Sequence, residues 1–363
     1  MEENTAWLLA RDATNLWVEQ RLCLLGSLVV VTLAIQLIFL PGVVSSSVAG
    51  VAVIFALNSG TQLRFLVYFM VQVEGAFASV ERIVEFSKGL ELEPAYRRPQ
   101  VDDRLEREQW PDATKGGLVF ENVALRYRDN LPRALDGFSA TLAPVEKIGI
   151  VGRTGSGKSS IISALVRLYP LEGGRILLGG VDLAECGLKL VRRTITIVPQ
   201  DPVLFSGTVR GNLDPTGAVG DEELWSGLRR CGLEELVRGL DGGLAANVSE
   251  GGRNFSVGER QVLCLTRALL RRTRVLCLDE ATANVDPTND QRIQRVLSTE
   301  VQGMLVLTIA HRLHTIMNTD RILVVDKGGL AQLDTPAALM QQEGIFRELA
   351  ERAGLSKSDA TKL

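Results

Sequence analysis

With 363 residues, 46% of them hydrophobic and 23% charged, the chain is too apolar for disorder and long enough for two or three compact units. Its 40 lysines and arginines nearly balance 43 aspartates and glutamates, a net charge of −3, so no global basic excess points to nucleic acid as a partner. Five cysteines without close spacing and two histidines, His311 and His314, exclude a Cys/His zinc cluster and fit reduced, mostly buried thiols.

Residues 1 to about 21 carry a helical pattern of apolar positions (Trp7, Leu8, Leu9, Leu16, Trp17, Val18) that continues without a breaker past Arg21. Residues 22–63 then form a stretch of 42 without one Asp, Glu, Lys, Arg or His. A bilayer crossing takes about 20 apolar residues, so the region holds two spans, about 22–41 and 49–72, the second running on past the uncharged stretch, with Pro41-Gly42 and Ser45, Ser46 and Ser47 as the turn. A buried helical hairpin in a soluble protein would show a charged stripe at helical period, and this stretch has none. Arg11 and Arg21 precede the first span and Arg64, Arg82 and Lys88 close or follow the second, which puts both chain ends on the cytoplasmic side of a multi-pass membrane segment. Two helices enclose no transport path, so the segment reads as part of a larger membrane domain spanning residues 1–88.

The second span continues as an amphipathic stalk through Val71, Val73, Phe77, Val80, Ile83, Val84 and Phe86. Residues 89–116, with Pro94, Pro99, Pro111 and mixed charges, have linker composition. From 117 to 350, short β-branched runs at 118–120, 147–151, 195–198, 275–278 and 304–308 alternate with helical patterns, predicting an α/β domain with a largely parallel central sheet. Residues 351–363 read as a polar tail.

The strongest chemical signal is Gly152, Arg153, Thr154, Gly155, Ser156, Gly157, Lys158 and Ser159, a P-loop between the strand 148–151 and a predicted helix 161–168, with Ser160 opening that helix. Its glycines let backbone N–H groups converge on phosphate oxygens at a helix N-terminus, Lys158 can reach the β- and γ-phosphates, and the Ser159 hydroxyl can ligate Mg²⁺. The strand 275–278 ends in Asp279 and Glu280. There Asp279 suits Mg²⁺ and Glu280 suits the general base that polarises attacking water. Together these make an α/β P-loop NTPase, a class that includes kinases, helicases and GTPases.

Other motifs narrow the class. Asn254-Phe255-Ser256-Val257-Gly258-Glu259-Arg260-Gln261, a small-residue turn opening a helix, resembles the signature loop of ATP-binding cassette (ABC) proteins. Pro199-Gln200-Asp201 resembles the Q-loop, Ala283-Asn284-Val285-Asp286 the D-loop, Thr308-Ile309-Ala310-His311-Arg312 the switch, and Tyr127 the aromatic that stacks on adenine; alone, a tyrosine near a strand end is more often packing, so that assignment leans on its position 25 residues before Gly152. The resemblance implies an ABC nucleotide-binding domain behind the helical hairpin of a type-1 exporter membrane domain. It implies ATP and Mg²⁺ as cofactors, Gln200 as a sensor of Mg²⁺ and water, His311 on the γ-phosphate, and Ser256, Gly258 and Asp286 at the facing nucleotide. The wording of the P-loop, of 204–210, of Glu250-Gly251-Gly252 and of Trp110-Pro111 is similar to the second cassette of C-subfamily, multidrug-resistance-protein-like transporters, as is 15–22 to the approach to their fifth helix.

Members of that family dimerise their cassettes head to tail. The partners implied are a first cassette, the remaining transmembrane helices, the lipid bilayer and a small-molecule substrate or conjugate, with no nucleic acid. The signature departs from LSGGQ at Phe255, Val257 and Glu259, which implies an asymmetric pair: this P-loop with Asp279, Glu280 and His311 hydrolytic, and this signature serving a weaker site. Glu259 brings negative charge toward phosphates, unfavourable unless Arg260 or another neighbour offsets it. Two other readings stand beside it: an ATP-gated channel or channel regulator of the same family, and a soluble cassette ATPase of the translation or DNA-repair kind, against which the uncharged hairpin and the absence of a basic patch weigh.

Overall fold

The computed structural model describes residues 2–39, 45–90, 92–112, 116–271, 273–279, 287–310 and 313–354. The chain divides into two compact units, residues 1–92 and 93–363.

The first unit is a helical hairpin. Helix α1 runs Glu2–Phe39 and α2 Ser46–Gly89. Each is long and apolar enough to cross a membrane, and at 1.5 Å per residue α2 is about 66 Å long, well beyond the roughly 30 Å of a hydrocarbon core. Apolar side chains of both helices face outward, Ile38 of α1 and Phe55 of α2 each 71% exposed. Small residues set the approach of the two helices: a Cβ on Gly26 would sit 3.1 Å from Gly60 Cα. Nearby, Arg64 Nη1 donates to Glu19 Oε1 at 2.5 Å. Ser46 and Ser47 belong to α2, so of the serines assigned to the turn only Ser45 lies outside the helix; residues 40–44 lie outside the described residues.

The second unit contains α3 (Pro99–Arg107), β1 (Leu118–Leu125), β2 (Leu135–Leu142), β3 (Lys147–Gly152), α4 (Lys158–Leu165), β4 (Gly173–Leu178), β5 (Val181–Asp182), α5 (Leu188–Thr194), β6 (Ile195–Val198), β7 (Gly207–Thr208), α6 (Val209–Leu213), α7 (Asp221–Arg230), α8 (Glu234–Arg238) and β8 (Asn247–Val248). It continues with α9 (Val257–Leu270), β9 (Val275–Asp279), α10 (Pro287–Thr299), β10 (Leu305–Ile309), α11 (Leu313–Ile316), β11 (Arg321–Asp326), β12 (Gly329–Asp334), α12 (Pro336–Gln341) and α13 (Ile345–Arg352). A six-stranded sheet in the order β12-β11-β3-β10-β9-β6 is parallel except at β11–β12. Strands β3 and β9 read as unbroken apolar runs because both of their faces are covered. A second, antiparallel sheet, β2-β1-β4-β5, was not foreseen from the sequence.

Two boundaries differ from expectation. Residues 89–116 are not a plain linker, because α3 folds onto the cassette. Leu105 is 1% exposed in the core around β1–β4, the buried Asp102 carboxylate accepts the Gly187 N–H at 2.8 Å, and Trp110 Nε1 donates to Leu178 O at 2.9 Å. The tail also begins later than residue 351. Helix α13 extends to Arg352, and its Phe346 and Ala350 are buried against Val151, Leu313 and Ile316. Charged, proline-rich composition disguised the first, and an amphipathic last turn the second.

Candidate functional site

Parallel strands in register bring the motifs to one sheet edge. Ile309 pairs with both Ile150 of β3 and Asp279 of β9, and Val198 of β6 pairs with Leu278. The carboxyl ends of β6, β9, β10 and β3 therefore align, carrying Gln200 two residues past β6, Asp279 as the last residue of β9, and Gly152 as the last of β3. Ligands of open α/β sheets bind outside such ends. One strand separates β3 from β9, so their ends lie about 10 Å apart at the usual strand spacing.

The P-loop has the backbone its motif requires. Gly157, at φ +106°, caps α4, and a Cβ there would strike Ala134 O at 2.5 Å; a Cβ on Gly152 would strike Val325 O at 2.3 Å. Lys158 Nζ donates to Gly152 O and Arg153 O, both at 3.0 Å, folding the ammonium over the loop. Arg153 Nη2 lies 3.3 Å from Glu348 Oε2 on α13. Gly155 has φ +77°, Thr154 and Ser159 are exposed, and Ser160 is buried. Among the described residues the buried Ser156 Oγ has no hydrogen-bond partner. A cradle that side chains would fill, an orphaned hydroxyl, a lysine ammonium, Ser159 and Asp279 form a donor set that fits a magnesium-bound phosphate chain.

Tyr127 reaches the first turn of α4 directly, its hydroxyl 2.8 Å from Ser160 Oγ, and the residue is 36% exposed. Glu172 forms an ion pair with Arg126, whose Nε lies 2.6 Å away, and accepts a hydrogen bond from Arg133 Nε at 2.8 Å; the Arg133 hydrogen bond, with the two guanidinium charges, outweighs burial and holds its carboxyl below the usual range.

Ser256 and Gly258 belong to a different core. Helix α9 packs with β6, α6, α7 and α10 around Val262, Leu265 and Leu269, with Phe255 anchoring the loop before it. Ser256 Oγ accepts the Glu259 N–H at 3.2 Å, and Glu259 Oε2 accepts the Ser256 N–H at 2.8 Å, a capping box. The Glu259 charge is thus offset by the helix N-terminus, while Arg260 turns away and donates to Gly251 O at 2.9 Å. Glu280, Asp286 and His311 lie outside the described residues.

Sequence reasoning assigned no role to two further groups. Along α9, Gln261 Nε2 donates to Pro199 O at 3.2 Å and Arg267 to Asn212 O at 2.6 Å and Val203 O at 3.3 Å, gripping the segment around Gln200. Tyr169 and Glu172 frame Tyr127. Apart from Gln261, which closes the signature motif, these side chains carry no motif spacing, because their partners are distant in sequence.

A family described as "ABC transporter" matches residues 135–283, the stretch from β2 through the P-loop and signature to just past β9. The chain carries an ABC transporter domain. Its likeness to sub-family C of that family covers the helical hairpin as well as the cassette. ATP-binding cassette sub-family C member 2 from Homo sapiens is 42% identical over 362 residues, 100% of this chain and 23% of that protein. Sub-family C member 10 from Mus musculus is 42% identical over 97% of this chain and 23% of its own length. Multidrug resistance protein mrp-7 from Caenorhabditis elegans is 43% identical over 90% of this chain and 21% of its own length. The chain therefore spans less than a quarter of these ABC relatives.

Proposed function

We propose that this chain is the ATP-binding and ATP-hydrolysing part of an ABC transporter, coupling hydrolysis to transmembrane export of a small molecule or conjugate. The observation that carries the reading is the convergence of the P-loop and Asp279 at one edge of a parallel sheet, in a chain that also holds two bilayer-length helices.

In this reading Lys158 and the P-loop amides hold the β- and γ-phosphates. Ser159, Asp279 and Gln200 hold Mg²⁺, which neutralises charge on the phosphates when bound. Glu280 takes the proton of the attacking water, His311 contacts the γ-phosphate, and Tyr127 stacks on adenine. Ser256, Gly258 and Asp286 face a nucleotide held by a second cassette. The cassette is cytoplasmic and the hairpin lies in the bilayer beside the remaining helices of the transporter.

The test is nucleotide binding and hydrolysis by the chain assembled with a complementary cassette and helices in vesicles. Lys158→Ala removes charge-assisted contacts worth about 1.5–3 kcal/mol and is expected to weaken ATP binding at least about tenfold. Glu280→Gln is expected to bind ATP and not turn it over. Hydrolysis untouched by both substitutions sinks the assignment, and an ohmic conductance without solute flux moves it from pump to channel.

A further inference from the structure

Tyr169 lies in the turn between α4 and β4, outside every motif described above, yet its ring centroid is 4.7 Å from that of Tyr127 with the planes at 88°. A T-shaped pair uses at most one face of either ring, so at least one face of Tyr127 is not covered by Tyr169. The hydroxyl of Tyr127 is fixed separately, at Ser160 on α4. The ring is therefore held at two points, its phenol oxygen and its aromatic body.

The same turn also holds the loop on which Tyr127 sits. Glu172 pairs with Arg126 on one side of Tyr127 and Arg133 on the other, and its own N–H donates to Ala124 O at 2.9 Å. Arg126 Nη1 in turn donates to Asp129 O and Leu131 O, curling the loop beneath it. Tyr169 is 37% exposed, so its ring is not simply filling the core. Residues 169–172 thus clasp the 126–133 loop through an aromatic contact and a carboxylate that are chemically independent of each other.

We propose that Tyr169 is a positioning residue for adenine recognition: it pins the Tyr127 ring beside the P-loop helix so that a free face meets the base without first having to be ordered. This rests on the reading of Tyr127 as the adenine-stacking residue. Pre-ordering matters because a mobile aromatic loses rotamer freedom on binding, at the expense of affinity. Tyr169 acts on the base end of the nucleotide only, since the phosphate contacts belong to the P-loop.

Calorimetric titration of the 363-residue chain in nanodiscs with ATP, and separately with inorganic tripolyphosphate, tests this. An aromatic pair of this kind is worth about two- to tenfold in affinity. Tyr169→Leu is expected to weaken ATP by that factor and leave tripolyphosphate unchanged, with Tyr169→Phe, which keeps the ring, within about twofold of the parent for both. Glu172→Gln, which keeps both rings and loosens the clasp from its other side, is expected to shift ATP in the same direction without moving tripolyphosphate; it decides the matter if the leucine variant does not fold. The proposal is overturned if Tyr169→Leu and Glu172→Gln bind ATP like the parent while Tyr127→Leu does not, or if they weaken ATP and tripolyphosphate equally. If Tyr127→Leu itself leaves ATP affinity unchanged, the adenine role of Tyr127 falls first and takes this proposal with it.

Discussion

Ser256 and Glu259 bond to each other reciprocally across the first turn of α9, each side chain accepting the other's backbone N–H. The Ser256 N–H is thereby engaged inside the chain, so a phosphate seeking that donor must first displace a carboxylate, whereas the Ser256 hydroxyl accepts in the box and keeps its own proton to donate. The box also stabilises the helix. Ser256→Ala is expected to cost about 1 kcal/mol of stability. Glu259→Gln, whose amide oxygen can accept the same N–H, is expected to stay within about 0.5 kcal/mol of the parent. Thermal denaturation of the two variants checks this, and an unchanged melt for Ser256→Ala removes the cap as a contributor.

Asp102 is the fastening point of α3. Its carboxylate accepts N–H groups from Gly187 and Arg98, each at 2.8 Å, and it is 3% exposed. Asp102→Ala strands a buried donor, an effect worth about 1–3 kcal/mol for each unsatisfied group. The denaturant midpoint of the variant should drop accordingly with little change in slope. A midpoint equal to the parent's would mean that residues 93–112 are a detachable linker after all.

Two glutamates set an acid limit on stability. Glu234 accepts hydrogen bonds from Arg229 and Arg238, which hold its carboxyl at about 2 against an ordinary 4.5. For Glu146 burial pushes upward, but the Arg321 hydrogen bond, with Nη2 at 2.8 Å, and the Ala143 N–H prevail and leave it below the ordinary value. A carboxylate with a lowered native pKa binds its proton first in the unfolded chain, so its stabilising contribution is complete above pH 4.5 and is lost as pH falls toward 2. Stability measured from pH 7 downward should hold until about 5 and then decline. Glu234→Gln should flatten part of that decline, and an unaltered pH profile would remove Glu234 from the linkage.

The four cassette cysteines should be chemically silent. Burial raises the thiols of Cys186 and Cys231 to about 11 and of Cys277 to about 12, and raises Cys264 as well. At pH 8 a thiol with pKa near 11 is thiolate in about one molecule per thousand, and only the thiolate attacks a disulfide reagent. In a Cys23→Ser background, which removes the exposed cysteine of α1, Ellman's reagent is expected to react only as the cassette unfolds. Rapid labelling of folded protein would contradict the packing around β9.

The motifs with chemistry in them were legible because each is local. A P-loop must place its glycines, lysine and serine within one turn, so 152–159 announces itself by spacing. The strands 147–151, 195–198, 275–278 and 304–308 were equally plain, since a doubly covered parallel strand is an uninterrupted apolar run. Helix α3 was hidden because its nine residues include charged ones on every side, and only Asp102 and Leu105 are buried, with Val101 packed partly buried beside them. The antiparallel sheet was hidden because its strands alternate buried and exposed positions irregularly, with register shifts in β1.

The sequence by itself determined the reacting groups and the two apolar spans, because covalent adjacency sets both the P-loop geometry and the uncharged length from 22 to 63. Only the tertiary structure decided that Gly152, Gln200 and Asp279 share one edge and that Tyr169 and Glu172 clasp Tyr127. Those relationships are made by strand register and by contacts between residues far apart along the chain. No periodicity in a single sequence encodes which distant side chain completes a contact, because that depends on how the sheet orders its strands.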